Sequence, residues 1–447
     1  MNSERTSKTA ATAGLLAAAF GLAAAADARA GQQEGAWVIE NARIHTLVEG
    51  ADPIESGSIV IRDGRIVEIG EVSAPEGATV VDASGLDVFP GLMDSVSQLG
   101  LTEIGAIAAT VDTAELGEMN PHLKAATAIH PASEHLPVAR ANGITHAVVA
   151  PGRLGGFGGG GSGISGQASI VHLDGWTVEE MDIEAGAGMV LSWPTLSTRS
   201  FNPATFQPER RSFREAQEAY DKAVAELGEV LAAARRYHEA GSADSRRRDV
   251  RLEALSPVIR GEMPLLILAN RAREIRGAVE FTKEQGVRMI LLGGAEAWEV
   301  TDLLAEEDIP VILGPTQRLP GHEDDPYDRP FTTPGELHAA GVTVAFATFG
   351  SSNSRLLPYE AGHAVGYGLP QDAAIRAITT VPAQLFGLEE DFGTLEEGKV
   401  ANLIVVNGDP LEIRTEVHHV FVNGVRVPLD NRHLRLYNEY RNRPRPR

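Results

Sequence analysis

The sequence predicts an α/β protein: a TIM-like (β/α)8 barrel joined to a composite β-sandwich domain built from the N- and C-terminal segments. Three observations lead there. The chain has 447 residues, room for a full-size barrel or for two ordinary domains. Both ends share a strand-rich texture. Between them, short apolar strands alternate with helical stretches, a pattern that calls for parallel strands with helical crossovers. The number of these units favours a closed barrel over an open sheet.

The chain opens with Arg5 and Lys8, followed by the apolar run ATAGLLAAAFGLAAAA and the ending Asp27-Ala28-Arg29-Ala30-Gly31. A short positive region, an apolar core and an Ala-x-Ala ending describe a secretory signal peptide. Residues 1–30 are therefore expected to be removed, and the protein to be periplasmic or secreted. The run is too short to span a bilayer comfortably, and no second one approaches that length, so a membrane-spanning protein is not expected.

Residues 31–90 and 391–430 supply the composite β domain. AWVIENARIHTL, SGSIVIRDGRIVEIG and ATVVDASGLDVFP alternate apolar and polar positions, with turn chemistry at Arg62-Asp63-Gly64. The same texture returns in ANLIVVNGDP and VHHVFVNGVRVPL, where Asn423-Gly424 signals a hairpin. The barrel occupies 91–390, and residues 431–447 form a C-terminal tail.

Within the barrel region, ITHAVVAP, MPLLILAN, VRMILLGG, IPVILGP and VTVAFATF read as strands, with helices such as IRGAVEFTKEQG and AWEVTDLLAEED between them. Residues 208–240 form one charge-laced helix with apolar positions at helical spacing, an insertion packed on the barrel exterior. The glycine run GRLGGFGGGGSGISGQ, 152–167, follows a strand. It lacks the Gly-Lys-Ser/Thr ending of a phosphate loop and reads as a surface loop on the active-site face, placed to act as a lid.

A formal charge of −22 leaves no evident basic surface to neutralise phosphates, which excludes nucleic acid as a partner. With no cysteine, disulfides, iron–sulfur ligation and thiol nucleophiles are excluded too.

Three segments carry a resemblance. VFPGLMDS (88–95), LPYEAGHAVGYGL (357–369) and RAITTVPAQLFGLEEDFGTLEEGKVANLIVV (376–406) stand in order and with family-like spacing. Through them the chain resembles the amidohydrolase superfamily, specifically its imidazolonepropionase-like branch, hydrolases acting on C–N bonds other than peptide bonds. The likeness covers nearly all of the expected mature sequence. Its glycines and prolines serve turns, so they bear on architecture rather than chemistry.

The resemblance also implies a metal site. Active members carry His-x-His at the end of strand one, two further histidines on later strands and an aspartate at the last strand. Together these hold one or two divalent metals that activate water. Carried onto this sequence, the strand-one ligands fall on Val96 and Gln98, the next two histidines on Leu268 and Gly293, and the aspartate on Phe349. No histidine lies within three residues of Val96, Leu268, Gly293 or Phe349, and no acidic residue within three of Phe349, so a register slip does not restore the set. No metal cofactor is expected.

The remaining histidines assemble no replacement. His130 and His135 are five apart across a proline, His418 and His419 point to opposite faces of a strand, and His363 lies in a helix-like stretch. His172, on a barrel-region strand, is the best single candidate. Near the strand ends stand Asp94, Gln98, Asn270, Arg271, Glu296, Asn353 and Arg355. Asp94 with Arg271 and Glu296 with Arg355 are candidate ion pairs, either structural or lining a pocket for a small polar ligand.

Two readings follow. In one, an exported amidohydrolase-fold protein lacks the metal centre and binds a ligand or serves as a non-catalytic subunit beside an active related chain. In the other, an active C–N hydrolase of cyclic amides or dipeptide-like substrates uses an unconventional site; only there would a divalent metal such as zinc enter.

Overall fold

The computed structural model describes residues 35–154, 162–202, 207–240 and 247–444. The expected signal peptide, 1–30, lies outside the described residues. The described residues open with five strands: β1 (Trp37–Ile44), β2 (Ile54–Arg62), β3 (Arg65–Gly70), β4 (Thr79–Asp82) and β5 (Asp87–Pro90). It then enters β6 (Leu92–Ser97), β7 (Ile144–Val149), β8 (Gly163–His172) and β9 (Asp182–Ser192). The β10 (Arg199–Asn202) and β11 (Gln207–Arg210) hairpin precedes β12 (Leu265–Ala269), β13 (Met289–Gly293), β14 (Val311–Leu313) and β15 (Val344–Phe346). Three last strands close the chain's β structure: β16 (Leu403–Val406), β17 (Val417–Val422) and β18 (Val425–Val427).

Strands from both ends share one sheet, in the order β18-β17-β16-β5-β1-β2-β3 with β4 also on β1. The join is β5 with β16: Val88 faces Val405 and Pro90 faces Leu403, antiparallel, so the strand entering the barrel pairs with the strand leaving it. In place of two facing sheets there is one sheet curled over a core that includes Ile39, Ile59, Ile66, Val88, Leu403 and Phe421. Its ends meet at two tight turns, Asp63-Gly64 and Asn423-Gly424, in which all four residues have positive φ. A Cβ on Gly424 would sit 2.5 Å from Gly64 Cα, so this contact requires glycine.

The second large sheet runs β15-β14-β13-β12-β9-β8-β7-β6 and is a nearly closed eight-stranded barrel. Across the seam, Phe349 N–H donates to Val96 O (3.0 Å) and Gln98 N–H to Gly350 O (3.2 Å). Lower down, Phe346 N–H and Met93 N–H reach Ala377 O and Ile378 O, so this segment partly separates the two edge strands.

One strand departs from the all-parallel expectation. β8 runs antiparallel to β7 and β9, and the other seven share one direction. Thirteen residues, 150–162, separate β7 from β8, which lies beside β7 as an antiparallel neighbour. The glycine-rich segment is correspondingly shorter than 152–167, because Gly163–Gln167 already belong to β8. Gly163, at φ +142°, lets the strand pass Glu118 O, where a Cβ would come within 2.0 Å. The rest of the expected lid, 155–161, lies outside the described residues.

The long helix spans Phe213–Glu239 and starts later than position 208, because Gln207–Arg210 are in β11. Ser212 caps it reciprocally with Glu215, whose N–H donates to Ser212 Oγ (3.2 Å) and whose carboxylate accepts from Ser212 N–H (2.8 Å). It buries Leu227, Leu231 and Ala234 in the core layer outside the barrel strands. The tail also carries structure, a helix at Arg432–Arg441.

Candidate functional site

The C-terminal ends of the seven co-directional strands define one face, the place where a barrel of this type builds its site. Beneath it the barrel interior is apolar. Met93, Val96, Val148, Ile170, Val190, Leu266, Leu292, Ile312 and Phe349 form one buried cluster, with Leu268 packed against it. Val96, Leu268 and Phe349, three positions where the family resemblance calls for metal ligands, thus meet in one hydrophobic plug. Phe349 holds φ +52°, a strained value for a bulky residue, and is 6% exposed.

The donor set at the five positions does not fit a divalent cation. Val, Leu and Phe present no ligand atom. Gly293 has φ +89°, and a Cβ there would meet Asn270 Oδ1 at 2.6 Å, so the local backbone leaves no room for an imidazole. Gln98 commits its amide nitrogen to Gly152 O (2.7 Å). Among the described residues, no group of three or more His, Cys, Asp or Glu is arranged to hold a metal ion.

Asp94 does not pair with Arg271. It is fully buried on β6 and accepts from Thr348 N–H (3.1 Å), with its second oxygen 2.5 Å from Thr348 Oγ1. Burial pushes its carboxyl up to about 7, against the opposing pull of the Thr348 hydrogen bonds. Thr348 Oγ1 is 3.2 Å from Ser354 Oγ, which donates to Gly350 O (2.9 Å). Arg271 is exposed at the end of β12, too far round the barrel to neutralise an acid sealed inside the seam.

Glu296 does not pair with Arg355 either. One of its oxygens accepts from Ala272 N–H (2.8 Å) and the other meets His322 Nε2 at 2.8 Å. It serves, with Glu274, the start of the helix Ala272–Gln285, where free backbone N–H groups favour carboxylates. Arg355 instead donates to Ser352 O, and its own carbonyl accepts from Asn142 Nδ2. Asn270 and Arg271 are exposed just past β12, Asn270 Oδ1 lying 3.4 Å from Ala295 N. Asn353 is exposed past β15, and its carbonyl accepts from Leu356 N–H (2.7 Å).

His172 is placed at the wrong end for a pocket residue. It closes β8 and pairs in register with His146 near the start of β7. Because β8 runs backwards, its last residue lies at the N-terminal end of its neighbours. The amide nitrogen of Asn402 lies 3.3 Å from His172 Nδ1 and 3.4 Å from His146 Nδ1, and Phe392 packs on both rings. Burial holds His146 down to about 3, with His172 adding to the effect, and holds His172 down to about 4. The pair is a neutral floor between barrel and curled sheet. His135 Nε2 binds Glu103 O (2.9 Å), and His130 is exposed.

Thr348, Ser354, His146, Asn402, His322 and Arg318 were not selected from the sequence. His146, at the centre of ITHAVV, had a strand-periodicity signal; the others are defined by contacts between segments far apart in the chain.

A nearly closed α/β barrel, whose entering and leaving strands pair in a second sheet, is the scaffold expected of amidohydrolases. Solved structures agree. The amidohydrolase from Thermotoga maritima MSB8 matches with TM-score 0.73 and 24% identity, over 88% of this chain and 99% of that one. A prolidase complexed with N-methylphosphonate-L-proline matches with TM-score 0.53 and 18% identity, over 88% and 99%. Residues 332–427 match the Amidohydrolase family. Amidohydrolase tasK of Hapsidospora irregularis is 22% identical over 401 residues, covering 82% of this chain and 39% of that protein. A 5′-deoxyadenosine deaminase of Methanosarcina acetivorans is 36% identical over 78 residues, 17% of this chain and 18% of the relative. The chain thus spans about two fifths of the first curated relative and less than a fifth of the second. By these matches the chain has the fold of the solved amidohydrolases, and its residues 332–427 carry the match to the Amidohydrolase family.

Proposed function

We propose that this chain is an exported member of the imidazolonepropionase-like branch that has lost the divalent-metal centre. It works as a ligand-binding or non-catalytic subunit, in the manner of a pseudoenzyme. One observation carries the reading: Val96, Leu268 and Phe349 pack together in the barrel's apolar interior, at positions where the family chemistry calls for imidazole and carboxylate. Filling that space with hydrocarbon favours folding by roughly 1.5–3 kcal/mol per buried side chain and removes the donors that would generate a metal-bound nucleophile.

The tasK relative is more than twice as long as the stretch this chain matches, so the corresponding part of that protein sits within a larger polypeptide. In this reading the partner is a separate, active amidohydrolase chain. Export is inferred from the leader, with cleavage after Ala30.

The test is elemental analysis of protein purified with zinc and other divalent metals present, combined with turnover assays on cyclic amides and dipeptides. Substoichiometric metal and no turnover are expected. One tightly held equivalent of metal, or hydrolysis that survives removal of contaminating enzymes, would refute the reading and restore the C–N hydrolase alternative. Intact mass of protein recovered from its native cell envelope tests export: a species beginning near Gly31 is expected, and a full-length cytoplasmic one refutes it.

A further inference from the structure

Between β14 and the helix Arg329–Ala339, the segment 314–328 crosses the C-terminal face of the barrel. It is tied down at both sides. Glu360, buried at the start of the next helix, accepts from Thr316 N–H (2.6 Å), the Thr316 hydroxyl (2.7 Å) and Gln317 N–H (3.0 Å). Further along, His322 Nε2 meets Glu296 at 2.8 Å. The loop's first residue, Gly314, lies against the Phe349 ring, its Cβ position 3.5 Å from Cε2. The loop is therefore fixed over the plugged mouth, and both anchoring carboxylates are already committed.

Arg318 stands between these tethers. Its backbone N–H binds Thr316 O (2.8 Å), but among the described residues its guanidinium has no hydrogen bond and no ion pair, although the residue is only partly exposed. Burial alone depresses its basicity, with no carboxylate opposing it. Arg140 makes the contrast: burial depresses it too, yet Asp174 sits 2.5 Å away as counter-ion. A partly desolvated cation without a partner is less favourable in a resting fold than a paired one and gains when an anion arrives. The guanidinium fork matches a carboxylate in a bidentate manner.

We propose that Arg318 is the anchor of a small-molecule site on this face and that it takes the carboxylate of a neutral-bodied or monoanionic ligand. The inference rests on the ligand-binding reading above. A single carboxylate suits the chain better than a phosphate dianion, because one free guanidinium faces the field of a protein carrying −22.

The experiment compares N-acetylglycine with its neutral twin N-acetylglycinamide by calorimetric titration of the full mature chain, with thermal melts of the ligand-free variants alongside. The acid is expected to bind saturably and the amide not to bind. Arg318→Gln should weaken the acid by roughly tenfold or more, the loss expected for a charge-assisted pair. Ligand-free Arg318→Met should melt at or above the temperature of the native chain, since it removes an uncompensated charge. Equal binding of acid and amide, binding of neither, full affinity in Arg318→Gln, or a lowered melting temperature in Arg318→Met would each overturn the assignment. Metal content of the same preparation keeps the two ideas separable. Stoichiometric metal refutes the metal-free reading, whereas the acid–amide comparison judges Arg318.

Discussion

Replacing Asp94 by Asn should make the protein more stable at pH 8 and leave it unchanged near pH 3. Asp94 is sealed from solvent, and burial raises its carboxyl from 3.8 to about 7. Below about pH 3 the acid is largely protonated in both folded and unfolded chains. Between about 4 and 7, the folded state keeps a proton that the unfolded state releases, so stability falls as pH rises through this window. Above 7 the loss is complete. At ~1.4 kcal/mol per pH unit, the gap amounts to something on the order of 4 kcal/mol.

The hydrogen-bond geometry agrees with a neutral side chain. A protonated Asp94 can donate to Thr348 Oγ1, Thr348 to Ser354 Oγ and Ser354 to Gly350 O, so each donor is used once along the chain of contacts. An asparagine amide donates along the same line and cannot ionise. Urea unfolding of both proteins at several pH values measures the difference. A difference that does not change with pH, or a variant less stable at pH 8, would refute the reasoning.

Three further outcomes follow from the same structure. Phe349→Ala should cost about 3–5 kcal/mol, as deletion of a buried aromatic does, without creating activity; a stability loss well under that range in urea titration would show that the mouth is not a packed plug. His146 and His172, held near 3 and 4 against an ordinary 6.5, remain neutral in the fold while the unfolded chain takes up protons. They should therefore lower stability as pH falls from about 6.5 to 4, the opposite slope to Asp94, and His172→Gln should flatten the curve. Glu296→Ala removes the acceptor of Ala272 N–H and the partner of His322, and should cost roughly 1–2 kcal/mol; thermal melts that match the native protein would show the link to be idle.

Much of the fold was legible because it is written in local terms. The strands β7, β12, β13, β14 and β15 are short apolar runs bounded by turn residues, and the hairpin at Asn423-Gly424 needs only its own two residues. The reversed strand β8 was not. GISGQASIVH carries the composition of any buried strand, and its direction shows only in its antiparallel pairing with β7 and β9. The site was legible only as residue types. Val96, Leu268 and Phe349 offer no side-chain atom for a metal, whatever their placement. Which groups pair was not legible. Asp94 and Thr348 are 254 positions apart and Glu296 and His322 are 26 apart, and no periodicity relates the members of either pair.

The sequence by itself determined the barrel and the shared strand texture of the two ends. These depend on side-chain chemistry and on patterns repeating over a few residues. Only the tertiary structure decided that Asp94 is sealed against Thr348, that His172 belongs to the floor and that Arg318 has no counter-ion among the described residues. Burial and partner choice are properties of the space between segments, and the free energy of a charge is set by what the fold brings beside it.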